Sequence, residues 1–307
     1  MTPALTYVYC LVRRASRPPL HDLPPGVPGS KEVRALSAGR GLWVIVTSVR
    51  RADYDEASLA EGLQNLDWVG VRAIAHESIV EQFLTAPAVL PMQLFALFTS
   101  DDRALEHVAQ DRARIERILT RIERHLEWGL RLSFDEKAAR QAVEEKAVGR
   151  ARSSGPTGAG YLARKRDLLD VTRVQFTAAK AEADRLYRAM SREASESRRR
   201  TATEQAATPG SRLLLDAAFL VPVRRAAPFR SALRRYARKL DAAGIVVSLT
   251  GPWPPYNFIE LASAEPSTSA EPAAAGPRAA TPARKTARIP VRRTKRKTVR
   301  ATPRKRR

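Results

Sequence analysis

The C-terminal segment is too basic and too poor in large apolar side chains to build a core. From Arg278 to Arg307 the sequence contains 14 basic residues and no acidic one, and residues 261–277 are rich in Ala, Pro, Ser and Glu. Such a segment cannot bury enough apolar surface to offset the conformational entropy that folding removes. We therefore expect residues 261–307 to form a disordered basic tail and the fold to lie within residues 1–260.

The remaining residues have the composition of a folded protein. Hydrophobic residues make up 44% of the chain, and residues 1–260 contain 40 basic and 30 acidic side chains. Because a single core rarely grows beyond roughly 250 residues, a chain of 307 residues indicates more than one domain. We place a first domain at residues 1–135 and a second at residues 136–260.

The cysteine content and the apolar runs indicate the cellular compartment in which the protein acts. Cys10 is the only cysteine in the sequence, which excludes an intrachain disulfide and a cysteine-ligated zinc site. The longest apolar stretch, Leu213 to Val223, is interrupted by Asp216 and Pro222. It is far shorter than the roughly 20 residues that a membrane-spanning helix needs. No basic segment precedes an apolar run near Met1, as a secretory signal requires. These features predict a cytoplasmic protein without a membrane span.

Strands and amphipathic helices alternate through both predicted domains. β-branched and aromatic runs predict strands at Leu5–Val12, Glu32–Leu36, Gly41–Val49, Trp128–Phe134, Leu213–Val223 and Ile245–Leu249, with Trp128–Phe134 closing the first domain. Apolar residues at helical spacing predict helices over Val71–Leu84 with Ile74 inward, from Ser100 to about Glu127, from Tyr161 to about Ser195, and over Pro228–Ala243 with Tyr236 inward. Helices laid on small sheets in this order indicate the α+β class.

The sequence contains no recognisable catalytic constellation. None of the four histidines lies four residues from another, so no helical metal-binding pair is formed. His76 and Glu77 could act as a base and its partner, although a solvated pair on a helix is the ordinary interpretation. Gly155 to Gly160 has the outer spacing of a phosphate-binding loop, but Tyr161 replaces the required Lys. The sequence therefore predicts a non-enzymatic protein without a metal or cofactor.

Two apolar segments are candidates for partner binding. The helix from Tyr161 has apolar residues at heptad-like spacing, which suits packing against another helix of this chain or of a partner. Leu249–Glu260 reads LTGPWPPYNFIE, and its three prolines hold the backbone extended and stiff. Its aromatic rings either fold onto the domain's own core or form a preorganised patch for a partner. The candidate partner-binding residues are Leu169, Phe176, Trp253, Tyr256 and Phe258.

Short segments spread over residues 5–260 carry a family resemblance. They include Tyr7–Val12 (YVYCLV), Gly41–Val49 (GLWVIVTSV), Val89–Met92 (VLPM), Phe98–Asp102 (FTSDD), Leu214–Pro222 (LLDAAFLVP) and Leu249–Phe258 (LTGPWPPYNF). In this order and spacing they resemble the gas vesicle protein family GvpL/GvpF, and the Gly-Pro-Trp-Pro-Pro-Tyr element is the most specific of them. After Pro91 the chain departs from the family pattern, because Met92–Ala96 stands where an Arg and a Phe-Gly pair are usual.

The resemblance implies a non-enzymatic structural or assembly protein of gas vesicles. It also implies two α+β domains of ferredoxin-like character, with long amphipathic helices packed on small sheets. In that family the domains are thought to engage the small hydrophobic shell protein and other accessory proteins. Shell subunits are strongly apolar, so an assembly factor must cover or template their apolar surface before the shell closes.

The basic tail lies outside the resemblance and leaves a second function open. It is either a solubilising extension or a contact for polyanions, such as nucleic acid, acidic protein surfaces or anionic membranes. The tail contains no aromatic residue, so any nucleic-acid binding would lack base stacking and be independent of sequence. The candidate polyanion-binding residues are Arg292, Arg293, Lys295, Arg296, Lys297, Arg304, Lys305, Arg306 and Arg307.

Overall fold

Two antiparallel β-sheets organise the chain. The computed structural model describes residues 4–136, 141, 158–200, 211–240, 244–259 and 287–288, with side chains in the long helix described from Arg173 onward. Each sheet has five strands. Helices cover both faces of the first sheet and one face of the second, so the prediction of an α+β fold is confirmed.

The first sheet is built from β1 (Ala4–Arg13), β2 (Arg34–Ser37), β3 (Leu42–Arg50), β4 (Ala88–Pro91) and β5 (Leu97–Phe98). The strand order is β2-β3-β1-β4, and β5 pairs with the end of β1. Between β3 and β4 the chain forms α1 (Arg51–Tyr54), α2 (Glu56–Gly62) and α3 (Leu66–Glu81). After β5 follow α4 (Asp101–Gln110) and α5 (Arg112–Ile122).

Both faces of this sheet are apolar because helices cover both of them. From β1, Tyr7 and Tyr9 pack toward the α1–α3 side, whereas Val8 and Leu11 pack in the cluster that contains the buried residues of α4 and α5. A register shift between Val8 and Cys10 brings two consecutive residues, Tyr9 and Cys10, to the same side. Such a bulge is the ordinary device for re-aiming side chains within a strand.

The second sheet is a ferredoxin-like unit. Its elements are β6 (His125–Asp135), α6 (Gly158–Ser191), β7 (Glu196–Arg199), β8 (Ser211–Pro222), α7 (Ala226–Leu240) and β9 (Ile245–Trp253). This is the βαββαβ order, and the strand order β9-β6-β8-β7 places the first strand between the third and the fourth. The first four strands of the chain repeat that order, with a loop between β1 and β2 in place of the first helix. The expected ferredoxin-like character is confirmed.

The core of this second unit lies between its sheet and two helices. Leu130 and Phe134 from β6 and Phe219 from β8 are fully buried there. Met190 from α6 and Phe229 from α7 cover them, with the Phe219 and Phe229 ring centroids 5.6 Å apart. Rings at this distance add to the stabilisation from burial alone.

Several sequence predictions differ from the structure. The helix predicted to run from Ser100 to about Glu127 is broken at Asp111 and ends at Ile122. Trp128–Phe134 lies in β6, which pairs with β8 and β9 and not with the first sheet. The strand pairing therefore places the boundary between the two sheets between Ile122 and His125, and not at residue 135.

Two side chains also face the other way from the prediction. Ile74 is 62% exposed and Tyr236 is 37% exposed, although helical spacing predicted both to face inward. Both helices have apolar residues on more than one side, so periodicity alone does not select the buried face.

Little of the basic tail belongs to the described part of the chain. Ala287–Arg288 forms β10, which pairs antiparallel with Leu249 and Ser248 of β9. For these two residues the prediction of disorder is wrong. The other residues of 261–307, including every candidate polyanion-binding residue, lie outside the described residues.

Candidate functional site

The proline-rich aromatic segment, Gly251–Phe258, covers the second sheet on the face opposite α6 and α7. Along β6 the side chains alternate, so that Trp128 and Leu130 point into the helix-covered core while Glu127 and Arg131 belong to the other face. The aromatic segment leaves the end of β9 and places Phe258 against Ala218 and Leu220 of β8 on that face. Beyond it, Ile259 packs against the α4–α5 cluster of the first sheet. The segment therefore packs on the second unit, and the residue that follows it contacts the first.

A buried carboxylate fixes the position of the aromatic segment. Glu127 is fully buried. Its Oε2 accepts a hydrogen bond from the backbone N–H of Asn257 at 2.7 Å, and its Oε1 accepts one from the Asn257 side-chain amide. Hydrogen bonds to a charged acceptor are stronger than neutral ones, and a buried carboxylate without such donors is costly. Glu127 therefore holds the far end of the segment on the sheet.

Gly251 is required where the segment leaves β9. Its φ is +113°, a conformation that residues with a Cβ rarely adopt. A Cβ added there would lie 2.8 Å from the carbonyl oxygen of Glu127. The Gly251–Pro252 peptide is cis, and the pairing of β6 with β9 shifts register between Glu127 and Gly129. The close approach of the two backbones depends on this glycine.

The structure separates the predicted aromatic residues into two groups. Phe258 is 0% exposed, so the expectation that it faces a partner is wrong, and the alternative of a ring folded onto the protein's own core holds for this residue. Trp253 and Tyr256 are partly exposed. Burial of Phe258 fixes the segment, while the two half-buried rings remain at the surface as candidates for contact with a partner.

The two candidates on the long helix α6 do not join this site. Phe176 is partly buried against the core of the second unit, with its ring 5.8 Å from that of Phe134. The guanidinium carbon of Arg212 lies 3.6 Å from the Phe176 ring centroid, a cation–π contact that covers the ring. The side chain of Leu169 lies outside the described residues. A partner-binding role for both stays a prediction.

A charged cluster around Asp216 has no signal in the sequence. Asp216 of β8 is 9% exposed. Its carboxylate accepts hydrogen bonds from Arg131 at 2.9 Å and from Nε of Arg200 at 2.7 Å. Two guanidinium groups compensate the buried charge, as a desolvated carboxylate requires. In the sequence Asp216 only interrupts an apolar run, and its partners, far from it in sequence, could not be identified.

The His76–Glu77 pair is not a solvated helix pair. His76 is 4% exposed, and its Nδ1 lies 2.8 Å from Oη of Tyr7. Burial lowers the pKa of His76 to about 4 and raises the pKa of Tyr7, so the imidazole is neutral at pH 7 and packs as part of the core. Among the described residues, His, Cys, Asp and Glu side chains form no group of three that could hold a metal ion. No described helix is long and apolar enough to cross a membrane.

Two solved structures of gas vesicle proteins have a fold similar to that of this chain. The crystal structure of GvpF from Anabaena sp. PCC7120 matches with a TM-score of 0.57 at 14% identity, over 83% of this chain and 95% of that chain. GvpF from Microcystis aeruginosa matches with a TM-score of 0.56 at 12% identity, over 84% of this chain and 99% of that chain. At these identities the likeness shows the fold alone.

The amino-acid sequence identifies the family. The family described as gas vesicle synthesis protein GvpL/GvpF matches residues 5–260. Gas vesicle protein L from Streptomyces sp. (strain CB03234) is 31% identical over 269 residues, which span 85% of this chain and 95% of that protein. The chain therefore belongs to the GvpL/GvpF family of gas vesicle synthesis proteins, as the motifs spread over residues 5–260 predicted.

Proposed function

We propose that the protein is a non-catalytic assembly factor that binds the hydrophobic gas vesicle shell protein and other accessory proteins. Membership of a gas vesicle synthesis family supports a role in gas vesicle formation. The proposed place of action is the cytoplasm, at gas vesicles. A shell subunit needs a partner that offers apolar contacts without unfolding, because exposed apolar surface otherwise aggregates.

The observation that carries this proposal is the fixed geometry of the aromatic segment. Asn257 and Phe258 are held by Glu127 and by β8, while Trp253 and Tyr256 remain partly exposed. Pro254 and Pro255 are buried between them. Aromatic side chains on a stiff backbone lose little entropy when a partner covers them, which is why such residues dominate protein interfaces.

Replacing Trp253 and Tyr256 together by Ala is expected to weaken shell-protein binding at least tenfold. Loss of two central aromatic contacts costs roughly 2 kcal/mol or more in an interface of this kind. Binding of the purified shell protein is measured by surface plasmon resonance, with the unfolding midpoint as the folding check. Tyr236→Ala is the matched control, because Tyr236 is a partly exposed aromatic residue on α7. Normal binding by a folded double variant would show that the segment is structural.

Removing residues 261–307 is expected to leave shell-protein binding and vesicle formation intact. The family match ends at residue 260, and the described part of the removed segment is a two-residue strand at the edge of β9. Vesicle yield in cells and binding of the purified shell protein are the measurements. If truncation abolishes both while also removing salt-dependent DNA binding, the tail carries the function and the nucleic-acid alternative is correct.

A further inference from the structure

The outer side of α3 is both apolar and acidic. Leu66, Val71 and Ile74 are 82%, 55% and 62% exposed, and a Cβ at Gly70 would meet open space. The opposite side of the helix is buried and includes His76, Ile79 and Val80. Large apolar side chains grouped on one exposed helix face are uncommon on a monomer and mark a contact surface. We call this surface the acidic face of α3.

The charge of this region is opposite to that of the whole chain. Residues 55–82 hold six acidic residues and one basic residue, in a chain with a net charge of +22. Helical spacing places Asp67 and Glu81 on the same side as Ile74, whereas one carboxylate oxygen of Glu77 is buried. The one basic residue, Arg72, lies with its guanidinium carbon 3.6 Å from the Trp68 ring centroid and belongs to another side of the helix. The apolar residues are therefore bordered by carboxylates.

The outer side of α7 has the complementary charge. This helix contains five basic and no acidic residues, and all five are exposed. Arg230, Arg234 and Arg238 follow one another at four-residue spacing and form a single row. Phe229 and Leu233 face the core on the other side. We call the surface formed by Arg230, Arg234, Arg235, Arg238 and Lys239 the basic face of α7.

The basic face lacks compensation within the described part of the chain. No described carboxylate forms an ion pair with Arg234, Arg235, Arg238 or Lys239, whereas Arg225 just before the helix pairs with Glu193 at 2.8 Å. Like charges at four-residue spacing destabilise a helix by about 0.2–0.5 kcal/mol per pair. An acidic partner would relieve this repulsion, and arginine stems can cover apolar side chains while their charged ends pair.

We propose that copies of this protein associate head to tail, with the acidic face of α3 docked on the basic face of α7 of a second copy. The two helices have matching lengths, about 24 Å and 22 Å at 1.5 Å per residue. Helix α3 packs on β1 of the first sheet, and α7 packs on β8 and β9 of the second. Each copy therefore offers one surface of each kind from a different unit.

A contact between two different surfaces leaves one free surface at each end of a dimer. Repetition of such a heterologous contact gives a ring if the rotation between successive copies closes, and an open filament if it does not. The apolar part is small, so the charges provide much of the association and salt weakens it. Assembly that depends on protein concentration and ionic strength follows from this geometry.

The test uses sedimentation velocity of the full chain before and after nuclease treatment, at low salt and at about 0.5 M salt. The wild-type protein is expected to form oligomers at low salt and to dissociate at high salt. The acidic-face variant Asp67→Arg/Ile74→Arg and the basic-face variant Arg234→Glu/Arg238→Glu should each associate at least tenfold more weakly. An equimolar mixture of the two variants should associate again, because each supplies the surface that complements the other.

A matched control separates this contact from a general effect of charge. Arg173→Glu/Lys180→Glu on α6 makes the same change in net charge as the basic-face variant, at two exposed positions, and should leave association unchanged. If the acidic-face variant unfolds, Leu66→Lys replaces it, since Leu66 is 82% exposed.

Four results would overturn the proposal. They are a monomeric wild-type protein at low salt, either variant associating like the wild type, a mixture that stays monomeric, or association that disappears with the nuclease treatment. In the last case the basic face binds nucleic acid. If the acidic-face variant loses shell-protein binding while self-association persists, the occupant of α3 is the shell protein and not a second copy.

Discussion

Glu127→Ala is expected to destabilise the protein by about 3 kcal/mol and to abolish binding of a shell protein through the aromatic segment. The substitution removes a fully buried carboxylate and leaves the backbone N–H and side-chain amide of Asn257 without their acceptor. Leaving a buried donor without its acceptor costs roughly 1–3 kcal/mol, and hydrogen bonds to a charged acceptor lie at the upper end of that range. Urea unfolding followed by circular dichroism measures the change in free energy of unfolding.

The comparison with an exposed carboxylate isolates the effect of burial. Glu193 pairs with Arg225 at the surface, so Glu193→Ala should cost less than about 1 kcal/mol. A double-mutant cycle with Asn257→Ala should give a coupling energy of about 1 kcal/mol or more between Glu127 and Asn257. Equal, small effects of Glu127→Ala and Glu193→Ala would mean that Glu127 does not hold the segment.

Gly251→Ala is expected to lower the free energy of unfolding by about 3 kcal/mol or more. The residue would have to keep a φ of +113° and place its Cβ 2.8 Å from the Glu127 carbonyl oxygen, a backbone atom that cannot rotate away. Unfavourable backbone conformations cost about 1–3 kcal/mol each, and the steric clash adds to that cost. Thermal and urea unfolding, each followed by circular dichroism, are the measurements.

Gly70→Ala is the control with the opposite sign. Gly70 lies inside α3 and a Cβ there meets nothing within 4 Å. Alanine in a helix interior is favoured over glycine by about 1 kcal/mol, so this substitution should stabilise the protein. A loss of stability at Gly70 as large as at Gly251 would show that the cost is not set by the local backbone geometry.

Local signals in the sequence predicted many elements correctly because they depend on neighbouring residues. Asp55 accepts a hydrogen bond from the backbone N–H of Ser58 at the start of α2, and Ser100 accepts one from Arg103 at the start of α4. Asp and Ser are residue types that commonly cap helix N-termini, so these helix starts have a signal in the sequence. The strand β1 and the β2–β3 hairpin follow from β-branched and aromatic runs joined by turn residues.

Long-range pairing could not be predicted in the same way. The sequence around Trp128 predicts a strand but not the sheet to which it belongs, because its partners in β8 and β9 lie far along the chain. The end of α5 was also missed. Helical spacing continues past Ile122 in the sequence, but Arg124 adopts a φ of +52° and redirects the chain into β6.

The candidate site was predicted by its residue types and not by its geometry. Proline and aromatic residues located the segment, yet only the structure shows that Phe258 fills a hydrophobic contact while Trp253 and Tyr256 stay partly exposed. Glu127 had been predicted at the end of a helix, so its hydrogen bonds to Asn257, 130 residues away, were invisible. Phe95 adopts a φ of +68°, a backbone conformation that a phenylalanine in the sequence does not indicate.

The central position of β6 has a consequence for how the chain folds during its synthesis. The first sheet is complete once Phe98 has been made, and α5 follows within a few turns. In contrast, both neighbours of β6 come later, and the last residue of β9 is Trp253. At translation speeds of roughly 5–20 residues per second, β6 leaves the ribosome many seconds before it acquires a second neighbour. Both edges of β6 are unpaired until β8 has been made, and one edge stays unpaired until β9 has been made. An unpaired edge is a template for pairing with another chain, so we expect this strand to be the part of the fold most prone to association during synthesis.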